Sequence, residues 1–303
     1  MKIEQNVSMK KYTSFRVGGP ADYFARPAST SELTWLLGNA KKNGMPATIM
    51  GSGTNILVKD NGIRGLVISL TRMKNEIEIQ NLDAEQTLVS VSAGTILAAL
   101  CRKTIRHGLE DLSFAAGIPG TVGGAVMMNA GTGFGTISDR LISVDILDQD
   151  NNLRTLDRSK LLFSHRKLEF LLPSSIDGGK KDGKPVIVRA SFLLKRGSRE
   201  KVAQSWISLM NKRRISQPHG IPSAGCFFKN PDFGKSAGQL IDMAGLKKKR
   251  VGDAMISDKH ANFILNLGNA TALEILTLRN VVKETVFEKF AVDLSEEVII
   301  QGE

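Results

Sequence analysis

The chain contains few cysteines and few large aromatic residues. Its 303 residues include two cysteines, Cys101 and Cys226, together with only two tryptophans and two tyrosines. Two cysteines in a chain of this length do not form a disulfide framework, and thiols stay reduced in a cytosol. The four histidines are scattered, and no C-x-x-C or H-x-x-x-H spacing occurs. The sequence therefore predicts neither a disulfide nor a metal site.

Long apolar runs are also missing from the sequence. No run reaches the roughly 18 residues that are needed to cross a bilayer. The first residues, "MKIEQNVSMKKYTSF", contain no apolar core and no cleavage-site pattern, which argues against export. The hydrophobic content of 42% and the charged content of 23% are typical of a soluble globular protein. We therefore expect a cytoplasmic protein with no membrane partner.

Positive charge is in excess, with a formal net charge of +11. Lys and Arg neutralise phosphates in nucleic-acid binding, but the chain has no recognisable DNA- or RNA-binding motif. The basic runs at 212–214 and 247–250 are each compatible with a solvated face. A positive field also attracts small anionic ligands such as nucleotides and cofactors. Charge alone leaves these interpretations open.

The pattern of helices and short strands predicts an α+β protein. A helix is expected at 31–43, because Ser29 and Glu32 have capping-box spacing and Gly44 ends the apolar face. The alternation in "EIEIQ" and "LVSVSA" predicts a strand pair. The Gly- and Ser-rich segment 172–185 is expected to be an exposed loop, and a domain boundary is expected near 195–200. Further helices are predicted at 95–107, 199–214, 236–245 and 271–290, and further strands at 46–50, 55–59, 65–70, 141–147 and 186–194.

A first glycine-rich segment, "MGSGTNILV", lies between two apolar strands. Glycine at positions 51 and 53 allows backbone N–H groups to approach an anion, and polar side chains at 52, 54 and 55 add hydrogen bonds. The segment lacks the Lys-Ser/Thr pair of a Walker A loop and the spacing of a Rossmann fingerprint. A plain turn explains it equally well. The residues of interest are Gly51, Ser52, Gly53, Thr54 and Asn55.

A second segment, "AAGIPGTVGGAVMMNAGTGFG", has seven glycines in 21 residues and no charged residue. That much glycine weakens regular helices and strands. A backbone packed against a large flat ligand would require this many glycines. The alternative is a glycine-rich turn region inside the core.

Cys226 lies in "IPSAGCFFKN", between a turn of small residues and two phenylalanines. Taken alone, it is interpreted as a small buried hydrophobic residue, because free cysteine is among the most buried residue types. A Cys–His pair with His165 is conceivable, but no cysteine-protease signature surrounds either residue.

Six segments, in order along almost the whole chain, resemble the UDP-N-acetylenolpyruvoylglucosamine reductase family in its shorter subtype. They are "YTSFRVGGPADYF", "MGSGTNILVKDNGIRGLVI", "GIPGTVGGAVMMNAG", "RRISQPHGIPSAGCFFKNP", "AGQLIDMAGLKKKRVGDAMISDKHANFILN" and "LSEEVIIQG". The resemblance implies an FAD-binding region of the vanillyl-alcohol-oxidase (PCMH) type in two subdomains, 1–70 and 71–196. It also implies a smaller α+β substrate domain, 197–303.

The resemblance also implies a reaction and its cofactors. NADPH would reduce FAD, and the flavin N5 would pass hydride to the enolpyruvyl group of a UDP-sugar to give UDP-N-acetylmuramate. "GSGTN" would hold the FAD pyrophosphate. "GIPGTVGG" would line the cofactor through Gly117, Ile118, Pro119, Gly120, Thr121, Gly123 and Gly124.

We expect a monomer with no nucleic-acid partner.

Three catalytic positions follow from the resemblance. Arg166 matches the arginine that would neutralise the substrate carboxylate and the enolate. Glu297 matches the glutamate that would assist enol stabilisation or proton delivery, with Glu296 as its solvated neighbour. Cys226 matches the proton donor, which is usually serine. From the residues alone, the alternative for Arg166 is a surface salt bridge, because Lys167 stands beside it.

Other positions resemble family residues near the sugar nucleotide. Arg214, Asn230 and His260 match such residues, although each can instead be a structural hydrogen-bonding residue. The sequence departs from the family where His165 and Leu168 replace a tyrosine and a serine.

Three other functions stay open. Another flavin oxidoreductase of the same fold would act on an alcohol or a small sugar. A homologue of the family would bind FAD without turnover. A basic nucleic-acid-binding protein would be colourless, and its binding would be sensitive to salt.

Overall fold

The computed structural model describes residues 1–73, 76–171, 185–232 and 234–303. The predicted loop 172–185 lies outside these residues except for Pro185. The six α-helices of the described chain are α1 (Thr30–Lys42), α2 (Leu97–Arg106), α3 (Val122–Met127), α4 (Arg199–Ser216), α5 (Ala237–Met243) and α6 (Ala272–Phe290). The first nine strands are β1 (Ile3–Ser8), β2 (Pro20–Ala25), β3 (Ala47–Met50), β4 (Ile56–Val58), β5 (Ile63–Ser69), β6 (Ile77–Asn81), β7 (Gln86–Ser92), β8 (Gly131–Thr132) and β9 (Gly135–Thr136). The other nine are β10 (Leu141–Leu147), β11 (Leu153–Asp157), β12 (Leu161–Ser164), β13 (Lys167–Phe170), β14 (Val186–Lys195), β15 (Arg250–Val251), β16 (Ala254–Ile256), β17 (Ile264–Asn266) and β18 (Ile299–Gln301).

The described chain divides into two compact units. The first unit contains Met1–Ile3, Ala25–Gly51 and Ile68–Lys212, and the second contains Glu4–Phe24, Ser52–Val67 and Arg213–Glu303. The three regions expected from the family resemblance, with boundaries at 70 and 196, stay a prediction.

The first unit is built on a five-stranded antiparallel sheet in the order β11-β10-β14-β7-β6. The predicted pairing of "EIEIQ" with "LVSVSA" is confirmed, with Ile77 opposite Val91 and Ile79 opposite Val89. Val89 and Val91 are fully buried, so the alternation in β7 directs one face into the core. Helices α2 and α3 contribute Leu97, Leu100, Val122 and Val126 to the same core.

Helix α1 of the first unit begins and ends where local capping requires. The Ser29 hydroxyl accepts the Glu32 N–H at 3.2 Å, which satisfies one of the free N–H groups at the helix start. Leu33, Leu36 and Ala40 bury one face of the helix. Gly44 follows the helix with φ +61°, a conformation that favours glycine.

A two-stranded hairpin, β12–β13, also belongs to the first unit. Its register runs from Leu161 opposite Phe170 to Ser164 opposite Lys167. Residues 165–166 therefore form the tight turn at the tip. Leu168, on β13, is 6% exposed and packs in the core, so this replacement of the family serine is a core residue.

The second unit combines a three-stranded antiparallel sheet, β15-β16-β17, with the parallel pair β4–β18. Strands β1, β2 and β5 are neighbours in that order. The core is formed by α5, α6 and a cluster around the fully buried Phe15 and Phe227. Capping boxes begin both helices, Ser236 with Gln239 before α5 and Thr271 with Glu274 before α6.

Candidate active site

The loop 51–55 connects β3 to β4 by a sharp turn. Gly53 has φ +66°, and its carbonyl accepts the Ser14 N–H at 3.0 Å. A side chain at Gly51 would collide with the Thr121 hydroxyl, so the backbone approaches Thr121 as only glycine allows. Gly51 of the first glycine-rich segment and Thr121 of the second therefore lie close together within the first unit.

Two buried hydroxyls near these segments have no hydrogen-bond partner among the described residues, Ser52 Oγ and Thr95 Oγ1. An unsatisfied buried hydroxyl costs about 1–3 kcal/mol, and a bound group rich in hydrogen-bond acceptors would remove that cost. The Thr95 carbonyl accepts the Val122 N–H at 2.8 Å, so Thr95 adjoins the second glycine-rich segment. The residues present therefore fit a phosphate-bearing cofactor.

The second glycine-rich segment is more regular than its composition suggests. It contains the short helix α3, which Thr121 begins by accepting the Gly124 N–H at 3.4 Å. A Cβ at Gly123 would stand 2.8 Å from the Ala93 Cβ, and its N–H donates to the Ala93 carbonyl at 2.8 Å. Gly123 is thus required by packing inside the first unit. Gly117, Pro119 and Gly124 are exposed and leave one surface of the segment open.

Arg166 sits at the tip of the β12–β13 hairpin with φ +59°, a left-handed conformation that is uncommon for a residue with a side chain. Its guanidinium donates to the Gly131 carbonyl from both Nη1 and Nη2, at 3.2 and 3.3 Å. The neighbouring Lys167 pairs with Glu169. The Arg166 guanidinium is therefore held by a backbone carbonyl.

Asn129 fixes the same hairpin from the glycine-rich segment. Its Nδ2 donates to the Ser164 carbonyl at 3.3 Å, and its Oδ1 accepts the Ser138 N–H at 3.2 Å. Sequence reasoning missed Asn129. The available signal was a polar side chain within a long uncharged segment, since a buried amide needs partners on both of its atoms.

Cys226 is partly buried and lies in a segment bordered by two other segments of the second unit. Cys226 is bridged to Phe263 on one side, and Phe228 is bridged to Glu296 on the other. The Glu297 N–H donates to the Phe227 carbonyl at 2.8 Å. The structure thus brings the backbones of Cys226 and Glu297 together, with Phe227 between them.

Asn55, at the end of the loop 51–55, contacts the segment that carries Glu297. Asn55 Nδ2 donates to the Glu297 carbonyl at 3.0 Å, and the Asn55 carbonyl accepts the Ile299 N–H at 3.0 Å. Three residues predicted from separate segments are therefore connected, because the Asn55 side chain and the carbonyl of Phe227, which follows Cys226, both bind the Glu297 backbone.

Glu296 differs from the solvated neighbour that the sequence suggested. It pairs with Arg279 at 2.7 Å and with Lys283 at 3.8 Å, and its side chain is 23% exposed. Burial alone would raise the pKa of Glu296, but the hydrogen bond from Arg279, with the backbone and Lys283, lowers it below its usual range. Glu296 thus anchors the segment that carries Glu297 to α6.

His260 is partly buried against Phe263, with ring centroids 5.0 Å apart. Burial lowers the pKa of His260, and the positive charge of Lys247 lowers it further. Its Nδ1 accepts the Asn262 N–H at 3.3 Å, so the proton of the neutral ring is assigned to Nε2. His260 can therefore donate a hydrogen bond from Nε2.

Asn230 and Arg214 both take part in structural hydrogen bonds. Asn230 Oδ1 accepts the Ala237 N–H at 3.1 Å, at the start of α5. The Arg214 carbonyl accepts Lys259 Nζ at 2.6 Å, and the Arg214 side chain is on an exposed residue. These contacts match the structural alternative, and the substrate roles stay predictions.

Cys101 lies apart from these residues in the core of the first unit. Burial raises the pKa of the Cys101 thiol to about 12, so it stays protonated at neutral pH. Among the residues that the structure describes, no group of three or more His, Cys, Asp or Glu could hold a metal ion. None of the described helices is both long and apolar enough to span a bilayer.

Two family models match different parts of the chain. The family model for an FAD binding domain matches residues 21–157, where the glycine-rich segments and their unsatisfied hydroxyls lie. The protein is therefore an FAD-dependent oxidoreductase. The model for the C-terminal domain of UDP-N-acetylenolpyruvoylglucosamine reductase matches residues 217–301.

Curated relatives define the family. UDP-N-acetylenolpyruvoylglucosamine reductase from Clostridium novyi is 40% identical, over 100% of this chain and 93% of its own length. The enzyme of the same name from Agathobacter rectalis is 42% identical, over 99% of this chain and 94% of its own length. The solved reductase from Thermus caldophilus has a TM-score of 0.80 at 36% identity and covers 100% of both chains. The chain belongs to the UDP-N-acetylenolpyruvoylglucosamine reductase family, which confirms the predicted resemblance, the α+β fold class and the FAD cofactor.

Proposed function

We propose that this chain reduces UDP-N-acetylglucosamine enolpyruvate to UDP-N-acetylmuramate with NADPH as the electron donor. FAD, when bound, supplies the hydride chemistry, taking hydride from NADPH and giving it to the enolpyruvyl methylene carbon. The membership of the family supports the substrate class. The formal net charge of +11 suits a protein whose ligands are polyanions.

Arg166 would stabilise the negative charge that develops on the substrate. When hydride adds to the methylene carbon, the π electrons move to the adjacent carbon and its carboxylate, which forms an enolate. A fixed cation lowers the energy of that state without reorganisation. The two hydrogen bonds to the Gly131 carbonyl support this role, because they restrict the guanidinium.

Cys226 would complete the reaction by protonating the enolate carbon. The S–H bond breaks, a C–H bond forms, and the thiolate regains its proton from solvent. A thiol with an ordinary pKa of about 8.5 is mostly protonated near pH 7 and is a stronger acid than serine. Glu297 would assist enol stabilisation or proton delivery, and its N–H bond to Phe227 supports a place close to Cys226.

The substrate and cofactor contacts are part of the same proposal. His260 would donate from Nε2 to an oxygen of the sugar nucleotide, while Arg214 and Asn230 would add a charge and an amide. The unsatisfied hydroxyl of Ser52 supports a cofactor contact at the first loop. The proposed FAD contacts are Gly51, Ser52, Gly53, Thr54, Asn55, Gly117, Ile118, Pro119, Gly120, Thr121, Gly123 and Gly124.

The observation that carries the proposal is the connection of Asn55, Cys226 and Glu297 through Phe227 and the Glu297 backbone. It is tested by mixing the FAD-loaded protein with NADPH and the enolpyruvyl UDP-sugar and following the loss of NADPH. The matched control replaces the substrate with UDP-N-acetylglucosamine, which lacks the enolpyruvyl group. Under anaerobic conditions we expect NADPH loss beyond the amount that reduces the bound FAD only with the enolpyruvyl compound. Flavin reduction without substrate-dependent NADPH consumption would count against the proposal and favour another flavin oxidoreductase.

A further inference from the structure

Asn262 supplies both hydrogen-bonding groups of its side chain to a single residue of the Cys226 segment. Its Oδ1 accepts the Phe228 N–H at 2.9 Å, and its Nδ2 donates to the Phe228 carbonyl at 2.8 Å. The side chain is only 3% exposed, so water does not replace these bonds. The amide thus satisfies both backbone groups of Phe228, as a neighbouring strand would.

The backbone of Asn262 holds the preceding residue as well. Its carbonyl accepts the Phe227 N–H at 2.7 Å. On the opposite side, the Phe227 carbonyl accepts the Glu297 N–H at 2.8 Å, and the Lys229 N–H donates to the Ser295 carbonyl at 2.8 Å. A displacement of segment 226–229 would therefore move Cys226 and change its distance from Glu297.

We propose that Asn262 is a positioning residue that fixes Cys226 relative to Glu297 for the protonation step. This inference rests on the proposed function, in which both residues act on the substrate. In this role the Asn262 side chain acts through the backbone of Phe228, and the Asn262 carbonyl holds the backbone of Phe227.

Asparagine suits this task because its amide presents one acceptor and two donors on the same planar group. Aspartate would keep an acceptor for the Phe228 N–H but would place a second oxygen against the Phe228 carbonyl. Protonation of that aspartate would restore a donor. Alanine removes both contacts.

Asn266 provides a matched control four residues further along the chain. It is 1% exposed, its Nδ2 donates to the Phe15 carbonyl at 2.9 Å, and its Oδ1 accepts the Gly268 N–H at 2.8 Å. It also accepts the Ala270 N–H at 3.0 Å. Asn266→Ala therefore removes a buried amide with equivalent bonds, none of which reaches segment 226–229.

The experiment compares the two half-reactions in FAD-loaded wild type, Asn262→Ala and Asn266→Ala under anaerobic conditions. Stopped-flow absorbance follows FAD reduction by NADPH, and then the reoxidation of the reduced protein by the enolpyruvyl UDP-sugar. For Asn262→Ala we expect reoxidation to slow by about 10- to 100-fold, because small misplacements of reacting groups have effects of that size. FAD content and FAD reduction should match wild type, and Asn266→Ala should reoxidise at the wild-type rate.

Other outcomes contradict the inference. Reoxidation of Asn262→Ala at the wild-type rate, or equal slowing in both variants, would overturn the positioning role. If Asn262→Ala does not fold, Asn262→Asp provides the test. We expect this variant to be reoxidised slowly at neutral pH and faster at lower pH. Reoxidation at the wild-type rate at every pH would contradict the positioning role. Wild-type protein that is reduced by NADPH but is not reoxidised by the substrate would instead contradict the proposed function itself.

Discussion

Cys226 differs in burial from the two residues that follow it. Its neighbours Phe227 and Phe228 are fully buried core residues, whereas Cys226 is only partly buried and its backbone is bridged to Phe263. A purely apolar filler would be expected among the buried residues, as Cys101 is. The partial exposure is what a proton donor to a bound substrate requires.

Substitution of Cys226 distinguishes a proton donor from a small apolar residue. We expect Cys226→Ala to lose about 10²- to 10⁴-fold in turnover, the usual contribution of general acid catalysis, while NADPH still reduces the flavin. Cys226→Ser should stay active. Steady-state rates of the three proteins provide the measurement, and an alanine variant with normal turnover would contradict the proton-donor role.

His260 allows a test through stability. Burial holds the pKa of His260 below its ordinary value, so the unfolded state binds the proton more tightly than the folded state does. Its contribution to the free energy of unfolding is therefore present above about pH 6.5 and is lost as the pH falls through the lowered folded pKa. Urea unfolding of wild type should show a larger decrease toward acid pH than His260→Gln shows. Parallel pH profiles for the two proteins would argue against the burial of a neutral imidazole.

At the scale of elements, the β12–β13 hairpin shows how the departures from the family pattern act. Leu168 is a core residue at 6% exposure, whereas His165 is exposed at the tip beside Arg166. Restoring the two family residues should therefore change the stability by very different amounts. Leu168→Ser should destabilise the protein by about 2–5 kcal/mol, because it removes a buried side chain and buries a hydroxyl. His165→Tyr should change stability by less than about 0.5 kcal/mol.

Thermal or urea unfolding of the two single variants checks this prediction, with FAD content as the control for folding. Equal effects of the two substitutions would show that Leu168 does not contribute to the core as described.

Elements and their caps were predictable because their determinants are local. Ser29, Ser236 and Thr271 each begin a helix through a contact with the N–H three residues ahead, which is visible in the order of the residues. The roles of Asn129 and Asn262 were not predictable, because their partners lie 35 and 34 positions away. A single sequence contains no signal for such distant pairs.

At the scale of the whole molecule, the residues proposed for catalysis lie far apart in the sequence, at Arg166, Cys226 and Glu297. The family resemblance predicted all three, since composition and spacing alone would not have selected Glu297. The contact of Asn55 with the Glu297 carbonyl, across 242 positions of sequence, became visible only in three dimensions.

In the proposed reaction, electrons from NADPH end in the enolpyruvyl group. The most direct test is mass spectrometry of the UDP-sugar after incubation of the FAD-loaded protein with NADPH and UDP-N-acetylglucosamine enolpyruvate under anaerobic conditions. We expect the substrate to gain the mass of two hydrogens, with one molecule of product formed for each NADPH consumed. Flavin reduced by NADPH with the UDP-sugar recovered unchanged would contradict it.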